Sequence, residues 1–319
     1  MSLAPDPLRA TAAAPVTGMF AGNLLCAGSM LTWAAGFPAA ELLLERWETL
    51  ALISARFLMA VMMLIPIWII VEGPRAVLRA QWKQGAVIGG IGFGLGAWLL
   101  LVAQALTDPV TVAIIASTSP VLAVIIEVAR DGRRLTGGFA FGLVASIIGG
   151  VIVVSGPMQG GDLALGIAAM LASCFLFVWG SRAAIKGLAD QTNLGRTTLT
   201  LAGGLMATSV IFLAGYSLGF AALPQGGLQY ADFGPLVLYA IGSMALSQLL
   251  WIASVGRLGV ALASFHLNTA PFYAMLIMLA LGGGWSWRHA AGAAVVVLGV
   301  ILAQRPAKAR ATAALTPQE

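Results

Sequence analysis

Residues 110–125 read VTVAIIASTSPVLAVI and residues 261–276 read ALASFHLNTAPFYAML; at an offset of 151 they superimpose with Pro120 on Pro271. An apolar run around one central proline, recurring half a chain away, marks an internal repeat, and a repeat decides the architecture. Neighbouring pairs agree. Ile91-Gly92 with Leu99-Leu100 fall on Ile241-Gly242 with Leu249-Leu250 at an offset of 150, and Gly22, Gly36, Ala39 and Ala40 fall on Gly166, Gly180, Ala183 and Ala184 at an offset of 144. Gly-rich apolar stretches, GGVIVV at 149–154 and LGVILA at 298–303, close the two copies.

The residues between these landmarks are almost entirely apolar. Of the 319 residues 60% are hydrophobic and 9% charged, against about half and a quarter in a soluble domain. So little polar surface cannot cover a water-soluble globule, and the solvent for most of the chain is lipid. A helix needs about 20 apolar residues to cross the hydrocarbon core. Cutting wherever charges, Gly/Pro clusters, Asn or Asp interrupt the run predicts ten spans, near 18–40, 48–71, 84–105, 109–129, 136–155, 162–184, 197–218, 232–254, 259–281 and 286–303. The breaks are short, so no loop folds separately. Met1 to Thr17 lacks the charged-then-apolar order of a cleavable signal, and the first span is expected to stay as an anchor.

Lys and Arg set the orientation, because they concentrate in cytoplasmic loops. With the N-terminus inside, fourteen of the seventeen fall on the cytoplasmic side, in groups such as Arg75, Arg79, Lys83 and Arg130, Arg133, Arg134. Only Arg46 and Arg288 fall on the other side, and Arg56 lies within a span. Both termini are therefore expected in the cytoplasm. The acidic residues divide evenly between the sides, and the net charge of +5 reflects orientation and anionic headgroups rather than nucleic-acid binding.

Five spans per copy is an odd number, so the second copy enters the membrane from the opposite side. The predicted fold is an all-α polytopic membrane protein, ten transmembrane helices in two inverted five-helix repeats. The parts are a 1–17 tail, a first repeat over 18–155, a second over 162–304 and a 305–319 tail. Inverted repeats around a mid-membrane site are the architecture of alternating-access transporters.

The paired stretches ASTSPVLAVIIEVARDGRRLTGGFAFGLVASIIGGVIVV and ASFHLNTAPFYAMLIMLALGGGWSWRHAAGAAVVVLGVIL resemble the drug/metabolite transporter superfamily in its ten-helix EamA-type form. The resemblance runs over about 18–305. It rests on a small-residue helix with a central proline, a short polar turn, and a Gly-rich closing helix. The acidic residue usual at the turn has a counterpart near Asp131 in the first copy, but Gly283 and Gly284 stand in the second. The arginine usual in the second helix is Arg56; its counterpart in the seventh is Gly203. Within the superfamily the chain is most similar to the aromatic amino-acid exporter (YddG-like) branch. The resemblance implies a multi-pass protein of a bacterial inner membrane that moves small metabolites.

Enzyme signatures such as HExxH, GxSxG and GxxxxGK are absent, and the GGIGFGLG run at 89–96 sits mid-helix without a preceding strand, so it is no nucleotide loop. Gly92 with Gly96, and Gly138 with Gly142, have the four-residue spacing that lets helix backbones approach. Cys26 and Cys174 lie in apolar stretches and read as small hydrophobes. No metal or cofactor is expected.

Ionisable groups at mid-membrane are functional candidates by default. Arg56 lies nine residues past Trp47, about 13 Å at 1.5 Å per residue. It either receives a substrate carboxylate or pairs with Glu41, Glu45 or Glu48. His266 either relays protons or packs. Glu127, at a helix end, is expected to be solvated or to cap a turn, which leaves no mid-membrane carboxylate for proton coupling and puts facilitated exchange at least level with proton antiport. Trp98 falls on Gln248 and Ser117 on Asn268 at the repeat offsets, so these symmetry-related polar and amphipathic positions are expected to line one cavity. Trp179, Tyr239 and Tyr273 join them as substrate-stacking candidates, with core packing as the alternative. Pro120 and Pro271 free backbone carbonyls for kinks that serve gating. Trp47, Trp82, Trp285 and Trp287 read as an interfacial belt. The expected substrate is a small, mostly apolar metabolite, a neutral or aromatic amino acid. A drug or nucleotide sugar is the alternative within the superfamily, and a lipid-modifying enzyme or a scaffold the alternative outside it. The partners expected are this small molecule and membrane lipid, and a monomer can hold the whole site.

Overall fold

A computed structural model describes residues 16–106, 119–132 and 163–280, with isolated positions within 112–148 and 287–298. The described residues hold helices and no strand, as expected of a backbone that must satisfy its own polar groups in lipid. In order, the helices are α1 (Val16–Ala34), α2 (Gly36–Leu44), α3 (Thr49–Glu72), α4 (Trp82–Leu106), α5 (Ser119–Asp131), α6 (Leu163–Gly187), α7 (Asn193–Ser217) and α8 (Tyr230–Leu258). Then come α9 (Val260–Ser264), a 3₁₀ turn (Phe265–Thr269) and α10 (Ala270–Ala280). Among the described residues five helices, α3, α4, most of α6, α7 and α8, are long and apolar enough to cross a membrane.

The predicted spans near 48–71, 84–105, 162–184, 197–218 and 232–254 each coincide with one of these five, within a few residues at most ends. Two others differ in continuity. The span 18–40 is two helices with a break at Ala35, and 259–281 is interrupted by the 3₁₀ turn. The described part of 109–129 is α5, while 136–155 and 286–303 lie outside the described residues apart from isolated helical positions. Local chemistry sets the boundaries. The Glu48 carboxylate accepts from the backbone N–H of Leu50 and Ala51 at the start of α3. Its last turn closes at Gly73, whose φ of +84° favours glycine. The Thr192 hydroxyl accepts from Gly195 N–H at the start of α7.

Glycines bring α4 into direct backbone contact with two neighbours. A Cβ on Gly92 would lie 2.6 Å from Gly180 Cα in α6, and one on Gly94 2.9 Å from Gly204 Cα in α7. A Cβ on Gly89 would collide with the Thr200 carbonyl, and one on Gly203 with that of Gly85. Gly92 thus has the packing role its spacing predicts; Gly96 is in ordinary contact range of α6, and Gly138 and Gly142 lie outside the described residues. The GGIGFGLG run is helical, with a π-helical stretch Gly89–Leu95 inside α4. A second π-helical stretch, Leu238–Leu246, lies inside α8, at the repeat offset.

Trp68, Trp251, Phe57 and Phe265 are the largest fully buried side chains, while Phe20, Ile70 and Leu213 face outward, as side chains against lipid do. Cys26 and Cys174 are free and buried, with the Cys26 thiol donating to Ala263 O at 3.4 Å. Trp47 departs from the belt expectation: it is buried in a cluster with Ala39, Leu43 and Tyr239, packed among α2, α3 and α8.

Candidate functional site

The break between α1 and α2 positions the site. It leaves Gly36 against Ser243, in the π-helical stretch of α8, so closely that a side chain at 36 would overlap the Ser243 hydroxyl. Beside this contact a cavity of about 130 Å³ opens among α1–α8 and the 3₁₀ turn. At about 10–15 Å³ per water it has room for on the order of ten waters, enough for a small solute.

Seven rings line it: Trp33, Phe37, Phe57, Phe93, Phe177, Tyr239 and Trp251. Five of them pack in edge-to-face and tilted pairs, Trp33–Phe37 at 5.0 Å, Phe93–Phe177 at 5.6 Å and Phe177–Trp251 at 5.2 Å between centroids. The Trp251 indole N–H donates to Ser181 Oγ at 2.8 Å, which fixes its rotamer. Neutral polar groups, among them Ser29, Ser173, Ser247, Gln104 and Gln248, complete the wall. Ser29 donates to Ser247 O at 2.9 Å and Ser173 to Gly96 O at 2.7 Å. Gln248 is 8% exposed, and its amide nitrogen has no hydrogen-bond partner among the described residues, a costly state for a buried donor unless something else enters the cavity to accept from it.

Arg56 is the one charged side chain among the described lining residues. It enters from α3 and is 8% exposed. Nε donates to Tyr239 O at 2.9 Å, and Nη2 donates to Ser243 O at 3.2 Å and Ser243 Oγ at 2.9 Å. Its Cζ sits 3.8 Å from the centroid of the Tyr239 ring. The Ser243 hydroxyl passes its own hydrogen bond to Trp33 O at 3.1 Å. A π-helical stretch shifts its carbonyls out of the usual register, and here two of them turn to the guanidinium. Arg56 forms no ion pair with Glu41, Glu45 or Glu48; among the described residues the ion pair is Arg46–Asp232, at 2.8 Å.

Of the residues chosen from the sequence, Arg56, Tyr239 and Gln248 meet at this cavity. His266 and Asn268 are buried in the 3₁₀ turn, but Leu267 between them is the turn residue that lines the cavity. Trp98 is half-buried on α4, and Trp179 and Tyr273 pack half-buried against the core; none of the three lines it. Pro120 is buried and helical, in α5. Pro271 lies in the first turn of α10, and Ser117 is outside the described residues. Ser29, Trp33, Phe37, Phe93, Phe177 and Trp251 went unchosen because an aromatic or serine in an apolar helix reads the same whether it faces a cavity or a core. Glu127 is buried rather than solvated: it accepts from Ala261 N–H at 2.9 Å and so caps the start of α9, its capping reading. Among the described residues no group of three or more His, Cys, Asp and Glu is placed to hold a metal.

Residues 20–155 match the profile of the EamA-like transporter family. No curated protein matches the chain in sequence. A solved structure titled "Crystal structure of protein" aligns with a TM-score of 0.74 at 18% identity, covering 90% of this chain and 98% of its own; at that identity the likeness is one of fold. Residues 20–155 are thus similar to an EamA-like transporter domain, and with five helices long and apolar enough to cross a membrane among its described residues the chain is a multi-pass membrane protein.

Proposed function

We propose that the protein is an alternating-access carrier of the bacterial inner membrane that exports or exchanges small, mostly apolar metabolites, neutral or aromatic amino acids first among them. The observation that carries this reading is the cavity: a ring-lined volume with neutral polar groups and a single fixed charge, bounded by helices from both halves of the chain. The rings of Phe177 and Trp251 accept the apolar body of the solute, and the serine and glutamine side chains accept its polar end. A nucleotide sugar would require more cationic donors than Arg56 for its phosphates.

The ten-span, inverted-repeat topology, with boundaries at 18–155 and 162–304, belongs to the same proposal. It is supported by the two π-helical stretches, which begin at Gly89 and Leu238 and so occupy matching places in the third and eighth predicted spans. π-Bulges concentrate at functional sites, and a matched pair beside one cavity fits two halves that exchange conformations. Counterflow tests the reading. Proteoliposomes loaded with unlabelled phenylalanine or leucine, at equal pH on both sides, are expected to accumulate the labelled amino acid. Uptake that does not depend on the internal solute would overturn the exchange mechanism, and no uptake with any neutral or aromatic amino acid would overturn the substrate class.

A further inference from the structure

We infer that the cavity selects solutes with an apolar body and a single carboxylate, held by Arg56 and Gln248, and that an α-amino group is not needed for recognition; the inference rests on this cavity being the solute site proposed above.

Charge balance is the starting point. Among the described residues every group that Arg56 is bonded to or stacked on is neutral: two backbone carbonyls, one hydroxyl and one ring face. Such acceptors satisfy N–H groups without cancelling the charge, and a guanidinium does not escape by losing its proton. Buried charges are ordinarily paired. The described residues that line the cavity include no Asp or Glu to pair with it, and the buried carboxylate of Asp232, on the same helix as Tyr239, is engaged with Arg46.

The donor inventory points the same way. Nε and Nη2 are occupied, whereas Nη1 has no hydrogen-bond partner among the described residues. Gln248 Nε2, on a side chain more than nine-tenths buried, also lacks one. Both residues line the same cavity. Two unused donors, one of them cationic, suit the two oxygens of a carboxylate. An ammonium group finds only hydroxyls, amide oxygens and ring faces, in a small volume that already holds a fixed positive charge. A phosphate dianion would leave one negative charge without a partner.

The test is a ligand series on the full-length protein in detergent, read by thermal unfolding and by the fluorescence of Trp33 and Trp251, with counterflow run in parallel. The probes are 3-phenylpropionate, phenylalanine, 3-phenylpropionamide, phenyl phosphate and 2-phenylethylamine. The two carboxylates are expected to bind within tenfold of each other, and the amide, the phosphate and the amine at least tenfold more weakly than 3-phenylpropionate. Gln248→Met, similar in size, is expected to narrow the gap between acid and amide. Equal binding of acid and amide, tighter binding of the phosphate or amine, or no binding of either carboxylate would overturn the inference. Phenylalanine binding more than tenfold tighter than 3-phenylpropionate would overturn its second part. Binding of the acids without counterflow would uphold this anchor and overturn the carrier reading.

Discussion

Arg56 shows how a residue can be found from sequence while its partners cannot. Its depth and its charge single it out, and an arginine near the centre of a span costs about 2.5–3.5 kcal/mol on insertion. Which partners offset that cost depends on a π-helical stretch about 180 residues away, in α8. Glycines are the other residue-scale feature. Gly→Ala within a helix ordinarily gains about 0.5–1 kcal/mol, and Gly256→Ala, where the new methyl would be 3.7 Å from Ile185, is expected to raise the unfolding temperature slightly. Gly92→Ala has the same chemistry but places the methyl 2.6 Å from Gly180 Cα, and is expected to cost about 1–3 kcal/mol through overpacking. Thermal unfolding of the two variants side by side checks the opposite signs. At the cavity, Trp251→Ala is expected to lower counterflow at least tenfold, and Trp251→Phe to keep most of the fold and part of the transport, because a ring still faces Phe177.

At the scale of elements, helix ends decide where the chain turns. The α9 helix begins at Gly259, whose φ of +78° no other residue adopts readily, and its first turn is capped by the Glu127 carboxylate from α5. Glu127→Ala is expected to cost about 0.5–2 kcal/mol, the usual range for a lost N-cap, while Glu127→Gln keeps an acceptor oxygen and most of the stability; unfolding in detergent ranks the three proteins. The break between α1 and α2 is the element that sequence periodicity misses, since the apolar run continues through it. At the break Gly36 sits against Ser243 of α8, so closely that a side chain there would overlap the hydroxyl.

Across the whole molecule, contacts on two opposite predicted sides join the two halves of the chain. On the predicted outer side Arg46 binds the Asp232 carboxylate and the carbonyls of Gln225 and Gly227. On the predicted cytoplasmic side Glu127 reaches α9, and the Thr192 hydroxyl donates to Glu72 at 2.6 Å. A carrier that alternates must loosen one side at a time. The Arg46–Asp232 pair is expected to show a coupling energy of about 1 kcal/mol or more in a double-mutant cycle with alanine, well above the few tenths expected of independent sites. Unfolding of Arg46→Ala, Asp232→Ala and the double variant measures it.

Composition and the spacing of charges were enough to establish a lipid-embedded helical protein and the places where most of its described spans begin and end, because hydropathy and the cost of unpaired backbone in lipid act locally along the chain. The recurrence of the proline-centred stretch is likewise a pattern of spacing that can be read from the sequence. The cavity wall was not legible there, apart from Arg56, Tyr239 and Gln248. Whether Trp33, Trp98, Trp179 or Trp251 faces a cavity or a neighbouring helix depends on helix rotation, and rotation is set by contacts such as Gly36 on Ser243 and Gly92 on Gly180 between residues far apart in sequence. Close backbone approach at those glycines turns Trp33 and Trp251 inward and leaves Trp98 and Trp179 outside the cavity, a decision made by packing in three dimensions.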